Sequence, residues 1–184
     1  IQSHVAENRA EIAWVNELFP GRRSYLDVYD HFGLLRDKSI YAHCIYLDDA
    51  DRARMTAAGA TPSFCPTSNL FIGSGLYDLK QALEAGNCVS IGTDVGGGTS
   101  YSMLRTLGEA YKVQQLQGIS LSPAYALYLA TLGGAKALSI DDKLGSITVG
   151  KEADCALLDP AATPLLARRT SLRDDPLDTF FALV

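Results

Sequence analysis

Four polar groups stand where apolar runs of the sequence end: His4 with Glu7 three residues on, His43, the Thr67-Ser68-Asn69 turn, and Asp94. Imidazole and carboxylate are suitable ligands for a four- or five-coordinate divalent metal, and a second carboxylate nearby can move protons to and from bound water. Asp94 marks the pattern best. In VSIGTDVGGGTSY, Val89 to Tyr101, an apolar run with β-branched members stops at Asp94, and a glycine triplet leads into an amphipathic helical pattern beginning near Ser100. In a closed parallel barrel such a residue sits on the carboxyl-end rim, where barrel enzymes keep their catalytic groups. Each group also has a plainer reading. Asp followed by Gly is ordinary turn chemistry, and a lone His in an apolar strand is more often a hydrogen-bonded core residue. Two of the only three histidines nevertheless fall at the ends of strands that alternate with helices, which shifts the balance toward function. The third, His31, lies inside a helical pattern and reads as a surface or helix-end histidine.

The elements that must position these groups follow from periodicity. A strand begins at the first residue and carries His4; residues 8–19 then show a helical stripe ended by Pro20-Gly21, and a second stripe runs from Leu26 to Leu35. Ile40 to Cys44 is the next strand, Asp48 to Gly59 a surface helix, Thr61 to Cys65 a strand ending in a turn at Pro66 to Asn69, Leu76 to Ala85 a helix, and Cys88 to Thr93 the strand before Asp94. His43, Ser68 and Asp94 are separated by 25 and 26 residues, which suits one strand, one crossover helix and two loops per unit. Alternation of this kind argues for a parallel sheet. Beyond it the pattern predicts a helix over Tyr101 to Leu116, then one over Ala124 to Leu132 with Ser122 as its cap and Gly133-Gly134 as its stop. Gly145 to Val149 and Asp154 to Leu158 read as a strand pair, and Arg168 to Asp175 as a charged loop.

Composition sets the bounds. The 184 residues are 47% hydrophobic and 20% charged with net charge −5, which is a globular composition and excludes disorder. A mild acidic excess without a Lys/Arg cluster argues against nucleic acid or an anionic membrane surface as partner. No apolar run approaches a membrane span and no signal-peptide pattern is present, so the expected location is cytoplasmic. The four cysteines lack Cys-x-x-Cys spacing and are expected to be reduced, with Cys44, Cys65 and Cys88 buried in strand-like runs. Gly96-Gly97-Gly98 has no following Lys-Ser/Thr and no Rossmann spacing, which argues against nucleotide phosphate; it reads as a flexible turn over a barrel mouth.

SHVAEN around His4 and Glu7, AHCIYL around His43, CPTSNL at Cys65 to Leu70 and GTDVGGGTSYSML at Gly92 to Leu104 resemble the amidohydrolase superfamily, and the last of these its guanine-deaminating branch. EAYKV at Glu109 to Val113 extends the resemblance, and GSITVGKEADCALLD resembles the small β-sandwich domain of such hydrolases. The resemblance implies a (β/α)8 TIM barrel of the metal-dependent hydrolase type. It implies that His4 and Asp94 ligate Zn2+, that Glu7 is the acid/base serving the activated water and the leaving amine, and that His43 hydrogen-bonds the attacking oxygen or the substrate. Glu7, His43 and Asp94 are then the catalytic residues, guanine and water the substrates, and the full-length protein a homodimer.

One departure matters. The family's remaining ligands form a His-x-His pair on the first barrel strand, and no His-x-His occurs in this sequence. The expected fold is therefore the C-terminal half of the barrel, strands five to eight, over residues 1–140, followed at 141–184 by part of the β-sandwich domain and a C-terminal helical segment. The chain alone is expected to be inactive. Two alternatives stay open: another aminohydrolase, acting on 8-oxoguanine, cytosine or an s-triazine, or a non-catalytic half-barrel whose strand edges serve association.

Overall fold

In the computed structural model, which describes residues 1–184, strands and helices alternate through the first part of the chain. β1 (Gln2–Val5), β2 (Ile40–His43), β3 (Thr61–Phe64) and β4 (Ser90–Ile91) form one sheet, every pair parallel, with spatial order equal to chain order. That order is the one-directional winding of a barrel wall; a doubly wound sheet would reverse direction partway. Between β1 and β2 lie α1 (Arg9–Leu18) and α2 (Tyr25–His31), and between β2 and β3 lies α3 (Asp49–Ala58). Between β3 and β4 come α4 (Pro66–Ile72) and α5 (Leu79–Glu84), and α6 (Met103–Leu116) follows β4.

Local signals start these helices. Asn8, Ser24, Asp48, Asp78, Ser102 and Ser122 each accept a first-turn backbone N–H through the side chain, a contribution of about 1 kcal/mol apiece. Between sheet and helices the core is built on Leu26, Tyr41, Met55, Phe64, Leu107 and Leu129, all fully buried. Leu107, Ala110 and Val113 form the buried stripe of α6, and its buried Gln114 donates to the Tyr77 carbonyl at 2.8 Å. No helix is long and apolar enough to cross a membrane.

Several expectations are corrected. Pro66 to Asn69 is not a free turn but the first turn of α4, with Pro66 at the position where a missing N–H costs nothing. Gly133-Gly134 does not end its helix: α7 (Pro123–Tyr128) passes through a π-helical turn, Leu129–Gly133, into α8 (Gly134–Ala137). A Cβ on Gly133 would lie 2.9 Å from the Tyr128 carbonyl oxygen, so glycine here admits the wider turn. The runs 145–149 and 154–158 form no ladder, and Ile147, Val149 and Leu157 are fully exposed. A strand exists only through a partner, and these runs have none in the chain. Part of the expected charged loop is α9 (Pro164–Thr170), and α10 (Pro176–Leu183) ends the chain, its Phe181 edge-on to Tyr111 of α6 at 5.0 Å. Cys44 and Cys65 are buried, whereas Cys88 is exposed along with Cys155.

Candidate active site

β1 and β2 carry the two strand-end histidines, and sheet geometry alone would separate them. His4 pairs with Ala42, while His43 pairs with Val5, so regular alternation would put His43 on the core face that Val5 occupies. The backbone turns instead. His43 and Cys44 have φ of 71° and 53°, and the His43 ring lies stacked on His4 with centroids 5.2 Å apart. Ala6, with φ of 49°, does the same for β1 and returns Glu7 to the rim; Asp94, with φ of 46°, ends β4 in the same conformation. Left-handed backbone at a residue other than glycine costs of order 1–3 kcal/mol and persists where packing over-determines it.

These bends bring the expected residues together. Ligand atoms of His4, His43 and Asp94 all lie within 4.8 Å of one another. Glu7 Oε2 is 3.5 Å and Asp94 Oδ2 3.9 Å from His43 Nε2. His43 is buried, Asp94 and Glu7 are partly covered, and His4 is exposed. No lysine or arginine pairs with either carboxylate. Two imidazoles and a carboxylate of this spacing fit a divalent cation, which would also balance the two convergent negative charges. Cys65, at the end of β3, is a poor additional ligand: burial and then the Asp94 carboxylate push its thiol up to about 12, so it stays protonated. His31 is exposed in the last turn of α2, edge-on to Phe32, and takes no part.

The third wall is α4 and the loop after it. Ser68 and Asn69 are fully buried; Asn69 Oδ1 lies 2.8 Å from His43 Nδ1, and Ser74 Oγ donates to Glu7 Oε1 at 2.7 Å. Ser68 Oγ and Asn69 Nδ2 are buried without a partner in the chain. The Thr67-Ser68-Asn69 run stands out in the sequence, but its contact with His43 does not, and no sequence pattern singles out Ser74. A run of small polar residues directly after a strand was the available signal. The Gly96 to Gly98 segment is no loose flap: a Cβ on Gly97 would sit 2.7 Å from Ser68 Oγ and 3.2 Å from Asp94 Oδ2, and Thr67 Oγ1 donates to the Thr93 carbonyl at 2.9 Å beneath it.

The sequence model of the amidohydrolase family matches residues 1–183. The chain is 46% identical over 184 residues to the guanine deaminase of Escherichia coli (strain K12), covering 100% of this chain and 42% of that protein. Among solved structures, E. coli guanine deaminase superposes with a TM-score of 0.97 at 47% identity, covering 99% of this chain and 42% of the other. An adenosine deaminase from Xanthomonas campestris with bound zinc superposes with a TM-score of 0.87 at 28% identity, covering 98% and 40%. The chain thus spans under half the length of the relatives it matches.

Proposed function

The chain belongs to the amidohydrolase family, and from that premise we propose that it is the portion of a guanine deaminase that carries the proton-transfer side of the active site. The reaction is hydrolytic: water adds at C2 of guanine, the exocyclic C–N bond breaks, and xanthine and ammonia leave. One observation carries the reading. His4, His43 and Asp94 converge with Glu7 beside them, in a chain 46% identical throughout to a guanine deaminase.

His4 and Asp94 would hold Zn2+, which when bound supplies the Lewis acidity that makes water nucleophilic near neutral pH. Glu7 takes one proton of the attacking water and gives it to the ring nitrogen as the C2–O bond forms, then takes the proton left on that oxygen and gives it to the amine as the C–N bond breaks, as a carboxylate within one hydrogen bond of these groups can. Its Oε1 is anchored by Ser74, so Oε2, facing His43, is the oxygen left to move the proton. His43 hydrogen-bonds the attacking oxygen. Glu7 Oε2 and Asp94 Oδ2 both face His43 Nε2, at 3.5 and 3.9 Å, so a cation held by His4 and Asp94 would offset both charges.

The same reading places residues 1–140 in strands five to eight of a (β/α)8 barrel and residues 141–184 in part of a small β-sandwich domain with a C-terminal helix. Polypeptide outside the chain then supplies the His-x-His ligands, the contacts to the guanine ring and the strands that would pair with 145–149 and 154–158. The intact protein is read as a cytoplasmic homodimer with no nucleic-acid or membrane partner. A second reading has one support: the 28% identical neighbour with a TM-score of 0.87 is named an adenosine deaminase. The test expresses the intact protein and the 184-residue chain side by side and measures zinc content and turnover of guanine, adenosine, cytosine and an s-triazine. Guanine turnover by the intact protein alone is the expected result. Faster turnover of another substrate would overturn the assignment, and full-rate turnover by the isolated chain would overturn the half-barrel reading.

A further inference from the structure

We propose that Asn69 and Ser74 form a positioning clamp that holds His43 and Glu7 in register with each other; the proposal rests on the deaminase reading of the rim. The contacts form a closed circuit. His43 Nδ1 meets Asn69 Oδ1 at 2.8 Å, the Asn69 carbonyl accepts the Ser74 backbone N–H at 2.9 Å, and Ser74 Oγ donates to Glu7 Oε1 at 2.7 Å. Glu7 Oε2 then faces His43 Nε2 at 3.5 Å and completes the ring. All three supporting groups are interior: His43 and Asn69 are 1% exposed and Ser74 4%. The Tyr46 hydroxyl fixes the loop from outside by donating to the Ser74 carbonyl at 2.7 Å.

Each contact makes a choice between otherwise equivalent atoms. An amide oxygen can only accept, so Asn69 Oδ1 puts a proton on Nδ1 and turns Nε2 toward the carboxylates. A serine hydroxyl donating to Oε1 leaves Oε2 as the free oxygen of Glu7. One short segment, from the first turn of α4 to the loop after it, thereby sets the tautomer of one group and the working atom of the other, although these lie 26 and 67 residues away in sequence. Neither Asn69 nor Ser74 belongs to the cluster of metal-capable atoms. Their effect passes through the residues they hold, as outer contacts of metal and acid/base groups do.

The test uses the intact protein with Asn69→Leu, Asn69→Asp and Ser74→Ala. Asn69→Leu is expected to lower kcat by about 10- to 100-fold, as loss of an outer contact does, with KM within about threefold of the parent because substrate-binding groups are untouched. Asp can only accept at this position and preserves the same tautomer, so Asn69→Asp should recover most of the loss. In metal-free crystals of Asn69→Leu the His43 ring should turn away from Glu7. Turnover by Asn69→Leu within about twofold of the parent, or an Asn69→Asp variant as impaired as Asn69→Leu, overturns the proposal while leaving the deaminase reading intact. If Asn69→Leu does not fold, Ser74→Ala decides: parental kcat overturns the clamp, and a lowered kcat at unchanged KM supports it. If the intact parent does not deaminate guanine, the deaminase reading fails by itself, and the His43 ring orientation in Asn69→Leu crystals then judges the clamp.

Discussion

Two clusters of carboxylates in this chain are built on opposite rules. Between α2 and α3, Asp27, Asp30, Asp48 and Asp51 meet arginines: Arg54 contacts Asp27 at 2.7 Å and also Asp30, while Arg23 contacts Asp48 at 2.7 Å and also Asp51. The cluster also uses ordinary helix hardware: Asp48 caps α3, and Ser24 caps α2 while donating to Asp51. At the rim, Glu7 and Asp94 converge on His43 with no arginine or lysine. The backbone differs in the same way. Four of the six non-glycine residues with left-handed φ, namely Ala6, His43, Cys44 and Asp94, belong to the rim, and none to the α2–α3 cluster. Carboxylates gathered without a matching cation on strained backbone cost stability, so their persistence marks a place where something else supplies the charge. The matched cluster fastens two helices; the unmatched one is open to chemistry.

The contrast breaks first at Asp94. If Asp94 is a zinc ligand as proposed, Asp94→Ala in the intact protein should abolish guanine turnover and lower zinc content together; retained zinc at full stoichiometry would detach Asp94 from the metal. Glu7→Gln is the next largest effect: kcat should fall by roughly 10² to 10⁴, the usual worth of a general acid/base, with zinc content unchanged. The two variants sharpen the division of labour at the rim, since one should move metal and rate and the other rate alone. Equal loss of zinc in both would assign Glu7 to the ligand set.

How much of this could be read without coordinates follows from what each feature depends on. Strand and helix alternation is local, so the parallel sheet and the positions of His4, His43 and Asp94 at strand ends were legible from apolar runs and caps. Whether His43 would face His4 was not, because register gave it to the opposite face and only a left-handed backbone at His43 and Cys44 returned it. The roles of Asn69 and Ser74 depend on partners 26 and 67 residues away, beyond any periodicity. The strand pair expected at 145–158 failed for a different reason: alternation is a property of the sequence, but a ladder is a property of two segments, and Ile147, Val149 and Leu157 find no second one.

A smaller effect tests how tightly the rim is packed. Gly97→Ala would place a methyl 2.7 Å from Ser68 Oγ, 3.0 Å from Ile72 Cδ1 and 3.2 Å from Asp94 Oδ2. The isoleucine end can yield, but Ser68 is fully buried in α4, so the expected cost is about 1–3 kcal/mol of overpacking. Denaturant unfolding should show it, and turnover should fall because Asp94 must shift. Unchanged stability would mean that the glycine segment is looser than its contacts indicate.

The smallest effect belongs to the matched cluster and sharpens the contrast by its harmlessness. Asp27 accepts the Arg23 backbone N–H at 3.1 Å and the Arg54 guanidinium at 2.7 Å, and these, in that order, hold its carboxyl below the usual carboxylate range. A carboxyl depressed in the folded state adds stability at pH values above its unfolded pKa of ~3.9 and loses that contribution as pH falls through the lower folded value. Asp27→Asn keeps the shape and one acceptor but removes the charge. It should cost about 0.2–1 kcal/mol at neutral pH, the worth of a partly exposed pair. The gap between variant and parent should close as pH drops below ~3.9, because the parent's own Asp27 is then being neutralised. Guanine turnover at neutral pH should be unchanged, since Asp27 touches no rim group. A loss of kcat comparable to that of Glu7→Gln would break the comparison, because it would show that the arginine-matched carboxylates serve the chemistry as well as the fold.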